Sequence, residues 1–141
     1  MKAARNFREY KVWLDAVAFA TEVYNVTAKL PYFERKGLCD QLQRAVVSIS
    51  SNIAEGSARP TDADFAHFLD TSLGSAYEVE TQLLIAKNVG YIRTKDDKRK
   101  TKDDNEGSCM TYEELLAGIQ DIQKQLVNFI SFIRKNSVEK R

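Results

Sequence analysis

Apolar residues return at steps of three and four along four stretches of this chain, the spacing that gathers one face of an α-helix. In the first stretch Trp13, Ala16, Val17, Ala20, Val23, Tyr24, Thr27 and Leu30 keep that spacing. Pro31 closes it, because a proline pushes the residue before it out of the helical region. The second runs from about Gly37 to Gly56 and aligns Leu38, Leu42, Ala45, Ile49, Ile53 and Gly56, the last a residue suited to a helix terminus. The third opens after Pro60, with Thr61 as N-cap and Asp62 and Asp64 in the first turn, where carboxylates favour the positive end of the helix dipole. Its stripe is Phe65, Leu69, Ser72, Ala76, Val79, Leu83 and Ala86, and Gly90 stops it. The fourth starts from Thr111-Tyr112-Glu113-Glu114, a capping-box pattern, and continues through Leu115, Ile119, Ile122, Leu126, Phe129 and Ile133.

In the last three stretches the steps of three and four alternate, which is the seam of left-handed bundle packing. The first two connections are short, and short connections make neighbouring helices antiparallel. The pattern therefore predicts an all-α fold, an antiparallel up-down-up-down four-helix bundle in one domain over residues 1–141. The third connection differs. From Arg93 to Ser108 it is almost wholly charged and has nothing to bury, which predicts a surface loop over about 93–110.

Composition narrows the function classes more than it changes the fold. Two prolines and six glycines leave room for long helices. The N-terminal residues carry charges every few positions and lack the apolar core of a signal peptide. No apolar run approaches the roughly 20 residues needed to span a bilayer. A cytoplasmic protein with no membrane partner is the expectation. Cys39 and Cys109 are too few and too far apart for a disulfide framework, and neither has a metal-ligand neighbour in sequence. No metal and no cofactor are expected.

Catalytic chemistry finds no foothold. The one histidine, His67, lies among Phe65, Phe68 and Leu69 with no nucleophile arranged beside it. Glycine-rich phosphate loops are absent, since Gly74-Ser75 is an isolated pair within a helix. Glu78 and Glu80 fall on different helix faces, and the Glu-x-x-His repeats of a di-iron bundle are missing. The chain is not expected to be an enzyme.

The second helix carries an unusual string, Arg44-Ala-Val-Val-Ser-Ile-Ser-Ser-Asn-Ile-Ala-Glu-Gly, with three serines, an asparagine and a glutamate among small and β-branched residues. Serine and asparagine are modest helix formers, so tertiary contacts must favour them. Asn52 and Glu55 are expected to hydrogen-bond across to Ser72, Ser75 or Tyr77, with Glu78 beside them, as a structural or interface polar network.

The formal net charge is only +1, and no segment departs further from neutrality, so any nucleic-acid site must be a local patch. The topology gathers one. Lys2, Arg5, Arg8 and Lys11 open the chain, Arg134, Lys135, Lys140 and Arg141 close it, and the loop after the second helix adds Arg59. Asp62 and Asp64 dilute that end. Apolar residues left after the seam is filled, namely Val12, Phe19, Val46, Phe68 and Phe132, would mark interfaces instead.

The stretch Gly37-Leu38-Cys39-Asp40-Gln41-Leu42-Gln43-Arg44-Ala45, running into Val47-Ser48-Ile49-Ser50-Ser51-Asn52-Ile53-Ala54-Glu55-Gly56-Ser57-Ala58-Arg59, resembles a known family. It is similar to the four-helix-bundle proteins encoded by intervening sequences in bacterial 23S ribosomal RNA genes, and to the accessory variability determinant of diversity-generating retroelements. Trp13 with Ala16, Leu30-Pro31, Phe65 with Phe68-Leu69, and Gly74-Ser75 ahead of Glu78 and Glu80-Thr81-Gln82-Leu83 extend the likeness over three helices. The long charged connection departs from the short one expected of that family. The resemblance implies an antiparallel bundle assembled as a ring, a homopentamer, with a role at RNA or DNA. It makes Arg44 and Arg59 the motif positions suited to phosphate. Two readings follow: an oligomeric scaffold that binds nucleic acid through Arg5, Arg8, Arg44, Arg59, Arg134 and Lys135, or an oligomeric adaptor for another protein.

Overall fold

The computed structural model describes residues 5–97 and 109–139. Four helices carry the chain: α1 (Lys11–Thr27), α2 (Leu38–Ser57), α3 (Asp62–Asn88) and α4 (Tyr112–Glu139), with 3-10 turns at Phe7–Glu9 and Tyr32–Glu34. No strand occurs among the described residues. No helix among them is long and apolar enough to cross a membrane.

The helix ends follow side-chain chemistry. Thr61 caps α3, its side chain accepting from the Asp64 amide, which satisfies one of the orphan donors of the first turn. At α4 the Thr111 hydroxyl accepts from the Glu114 amide at 3.3 Å while Glu114 Oε1 accepts from the Thr111 amide at 3.2 Å, the reciprocal pair of a capping box. Gly90 ends α3 with a φ of 87°, a conformation that a side chain would oppose. The first helix stops at Thr27, three residues before Leu30. Amides of Lys29 and Leu30 tighten onto Val26 and Thr27 in i to i−3 bonds ahead of Pro31.

Cross-helix contacts fix the arrangement. As α3 advances through Ser72, Ser75 and Gln82, its partners on α2 recede through Ile49, Ser48 and Gln41. Between α3 and α4, Asp70 meets Arg134, Glu80 meets Gln123 and Lys87 lies over Tyr112. Between α1 and α4, Tyr10 at the head of α1 meets Phe129, Asp15 meets Gln125 and Asn25 meets Cys109. Thr27 takes bonds from Cys39 and Gln43 of α2. Neighbouring helices thus run antiparallel. One contiguous core draws on all four, with Val23, Leu42, Ile49, Ile53, Phe65, Leu69, Leu83, Leu115, Ile119 and Leu126 fully enclosed.

Gly56 plays a different part from the expected terminus. It lies inside the last turn of α2, buried, and a Cβ there would come 2.6 Å from Phe68 Cβ. Its missing side chain lets α2 and α3 close together. Three residues expected to be left outside the core are inside it: Val12 and Phe19 are buried because the face of α1 that turns inward is rotated toward Val12, Phe19 and Val26, and Val46 of α2 is buried beside Ala45 and Ile49. Phe68 is half-buried and Phe132 is exposed.

Candidate interaction surfaces

One end of the bundle collects the start of α1, the turn between α2 and α3, and the tail of α4. Arg5 anchors it. Its guanidinium donates to Asp62 Oδ1 at 2.6 Å and to the carbonyls of Arg59 and Ser57 at 2.6 and 3.3 Å, and it lies 4.8 Å over the Phe65 ring. Asp62 is buried, so this is a partly desolvated ion pair that also satisfies carbonyls at the C-terminus of α2. Arg134 is paired with Asp70. Both cations are therefore occupied by carboxylates. Arg8, Arg59 and Lys135 are exposed and make no ion pair among the described residues; Arg8 lies over Phe7 and Arg59 over Phe68. Lys11 is bonded to Asp15, and that bond raises the lysine pKa and lowers the carboxyl pKa. Lys2, Lys140 and Arg141 lie outside the described residues.

Arg44 does not belong to this end. Fifteen residues separate it from Arg59, a rise of roughly 20 Å along α2. Its Nε meets both carboxylate oxygens of Asp40 at 3.0 Å on the outer face of the helix.

The polar string of α2 makes a network, though with a different centre from the expected one. Ser48 is the hub. Its hydroxyl bonds Ser75 of α3 at 2.8 Å and accepts from the Asn52 amide at 2.8 Å. Ser72, fully buried, donates to the Ile49 carbonyl at 2.7 Å. Asn52 thus reaches α3 only through Ser48, and its side chain otherwise bonds within α2. Glu55 is exposed and makes no bond to α3, and Tyr77 is exposed. Glu78 accepts from Gln82 within α3, and Gln82 also approaches Gln41 at 3.5 Å. Tyr24, Val47, Ser51 and Glu55 line a shallow open hollow of about 520 Å³ that crosses the outer face of α2.

Besides Leu14, Ile85, Val89 and Phe132, two groups of apolar side chains remain exposed, one on each helix pair. Val17, Tyr24 and Val47 lie exposed along the α1–α2 side, and Tyr77, Leu84 and Val127 along the α3–α4 side. Tyr24 follows Val17, and Leu84 follows Tyr77, by seven residues, two turns along one helix face.

The other end of the bundle carries the 3-10 turn between α1 and α2. Tyr32 and Phe33 are 82% and 77% exposed there, the most exposed large apolar side chains of the described chain. Behind them the Tyr91 phenol has its pKa raised by desolvation and by a hydrogen bond to Glu34. The signal was in the sequence, two adjacent aromatics directly after Pro31 with no helical partner, but no periodicity drew attention to it. Among the described residues no group of three or more His, Cys, Asp or Glu is placed to hold a metal ion. His67 is exposed.

Residues 8–113 match the family described as 23S rRNA-intervening sequence protein, and the chain belongs to that family. It is similar in structure to a protein of unknown function from the S23 ribosomal protein family of Bacteroides thetaiotaomicron, with a TM-score of 0.66 and 26% identity over 84% of this chain and 97% of that one. No curated protein matches the chain.

Proposed function

We propose that this protein is a non-enzymatic, cytoplasmic scaffold that works by assembling with copies of itself. The observation that carries the reading is the pair of apolar sides on opposite faces of one bundle, Val17, Tyr24 and Val47 against Tyr77, Leu84 and Val127. Exposed apolar side chains grouped on one side mark candidate interaction sites. Two different sides on opposite faces favour a head-to-tail contact, and a head-to-tail contact that closes makes a ring. A ring of five is the count that resemblance to the intervening-sequence family implies.

A second reading has one observation behind it. Arg8, Arg59 and Lys135 remain exposed and unpaired by carboxylates among the described residues, and a ring would bring copies of that end together into a stronger positive field. The description of the family names an intervening sequence of 23S rRNA, which fits a nucleic-acid partner. Arg5 and Arg134 would contribute little to it, being held by Asp62 and Asp70.

Light scattering on the purified chain, with Tyr24→Glu/Val47→Glu and Tyr77→Glu/Leu84→Glu as variants, tests the assembly. The wild type is expected to be a multimer, and each variant a helical species of lower mass. A wild type that stays monomeric at every concentration measured overturns the assembly.

A further inference from the structure

The turn between α1 and α2 presents two aromatic rings to solvent at the tip of the bundle remote from the basic end. Residues Lys29 to Gly37 hold four charged side chains: Lys29, Glu34, Arg35 and Lys36. The single acid is turned away. Glu34 Oε1 lies where a Cβ on Gly37 would be only 2.8 Å distant, its carboxylate bonds the Tyr91 phenol, and the side chain is half-buried. Gly37 thus leaves space for the acid to fold back onto the bundle. Lys29, Arg35 and Lys36 are exposed and make no ion pair among the described residues. Arg35 already stands 5.6 Å from the Tyr32 ring centroid. What faces outward is therefore two open aromatic rings among three cations that make no ion pair among the described residues.

We infer that this tip is a binding site for unpaired nucleotides, with the Tyr32 and Phe33 rings stacking on bases and Lys29, Arg35 and Lys36 meeting the flanking phosphates. Every base has a π-face, so such stacking tolerates any sequence, and only single strands offer bases splayed far enough to reach. The rings stand free for a partner: Tyr32 and Phe33 belong to a turn with no buried residue, so neither is needed to fill the core. A lipid surface is the competing anionic partner for aromatics among cations. It would lie across the whole end of the bundle, however, and there it would meet Asp96, exposed in the connection after α3, as well as the cations. A strand engages only the local patch. The site is independent of the assembly proposed above and lies at the opposite end from Arg8, Arg59 and Lys135.

The test is fluorescence anisotropy of a labelled unstructured oligouridylate titrated with the full chain, beside a duplex of equal length and vesicles of mixed neutral and anionic phospholipid. The single strand is expected to bind more tightly than the duplex. Tyr32→Ala/Phe33→Ala should weaken binding about tenfold or more, given what stacking contributes per base. Tyr32→Trp/Phe33→Trp should retain it and add fluorescence quenching on binding. Lys29→Gln/Arg35→Gln/Lys36→Gln should flatten the salt dependence, by roughly two in log–log slope for about three phosphates on a single strand. In an Arg8→Gln/Arg59→Gln/Lys135→Gln background, loss of the two rings should still weaken single-strand binding by the same factor. All these side chains are outside the core, and circular dichroism checks that the variants fold. Absence of single-strand binding, or binding that survives loss of both rings, overturns the inference. Loss only in the Arg8, Arg59 and Lys135 variant would move the site to the other end and likewise overturn it. Vesicle binding that depends on the two rings, without oligonucleotide binding, would assign the tip to a membrane surface.

Discussion

Gly56 and Gly74 both sit inside helices, and a methyl group added to each would meet opposite surroundings. At Gly56 it would come 2.6 Å from Phe68 Cβ and 3.0 Å from a Phe65 ring carbon, and at Gly74 it would meet nothing within 4 Å. Replacing glycine by alanine in a helix gains up to about 1 kcal/mol from propensity alone, whereas forced overpacking costs about 1–3 kcal/mol. Gly74→Ala is therefore expected to stabilise the protein by about 0.5–1 kcal/mol, and Gly56→Ala to destabilise it by about 1–2 kcal/mol. Urea melts of the two variants check the signs, and a stabilised Gly56→Ala would mean that the α2–α3 contact is loose. The sequence reads both residues as glycines on a helical pattern and cannot separate them. The difference is made by α3 side chains that lie 9 and 12 positions further on. Val12 and Phe19 teach the same lesson: apolar residues beside the seam look spare until a neighbouring helix decides which way the first helix turns.

At the scale of elements, the caps were the most legible features and the polar contacts between helices the least. Thr61 and the Thr111–Glu114 box are local chemistry, with partners three residues away. Glu114 shows its role in titration. The Thr111 backbone amide first, and then the Thr111 hydroxyl, hold its carboxyl below the ordinary range. A carboxyl lowered in the folded state contributes stability above its unfolded pKa of about 4.3, and that contribution is lost as pH falls through the folded value. Acid titration of stability should therefore bring the wild type down toward Glu114→Gln below about pH 4.3; parallel curves would show that the carboxylate adds nothing. Arg5 is the reverse case. As a basic residue near the chain start it reads as a phosphate ligand, yet it ties the 3-10 entry to the C-terminal carbonyls of α2 and to buried Asp62, more than 50 positions away. Removing one partner of a partly buried pair leaves the other charge less well compensated. Arg5→Gln is expected to cost about 2 kcal/mol, and Asp62→Asn added to it to cost less than the two separate effects together. The measurement is a double-mutant cycle in denaturant, with additivity as the outcome that rules out the coupling.

At the scale of the whole molecule, four helices with short first and second connections were readable because periodicity and caps are properties of the chain itself. The outer sides were not, because exposure depends on the rotation of every helix against its neighbours. Val17 and Tyr24 illustrate this: both keep the apolar spacing of α1 and both end outside, at 40% and 43% exposure, while Phe19 goes in. A chain that leaves such sides on two opposite faces gains stability when a neighbour covers them, and the gain must appear as mass action. Any species that binds the folded state and not the unfolded one raises the melting temperature with its concentration. If copies of the chain cover one another, a tenfold increase in protein concentration should raise Tm by about 3–5 °C for a domain of this size. Tyr77→Glu/Leu84→Glu should melt at one temperature whatever the concentration, because its chain has no neighbour to lose. Differential scanning calorimetry across two decades of concentration makes the comparison. A wild type whose Tm does not move would mean that the apolar sides are covered by a different partner, or by none.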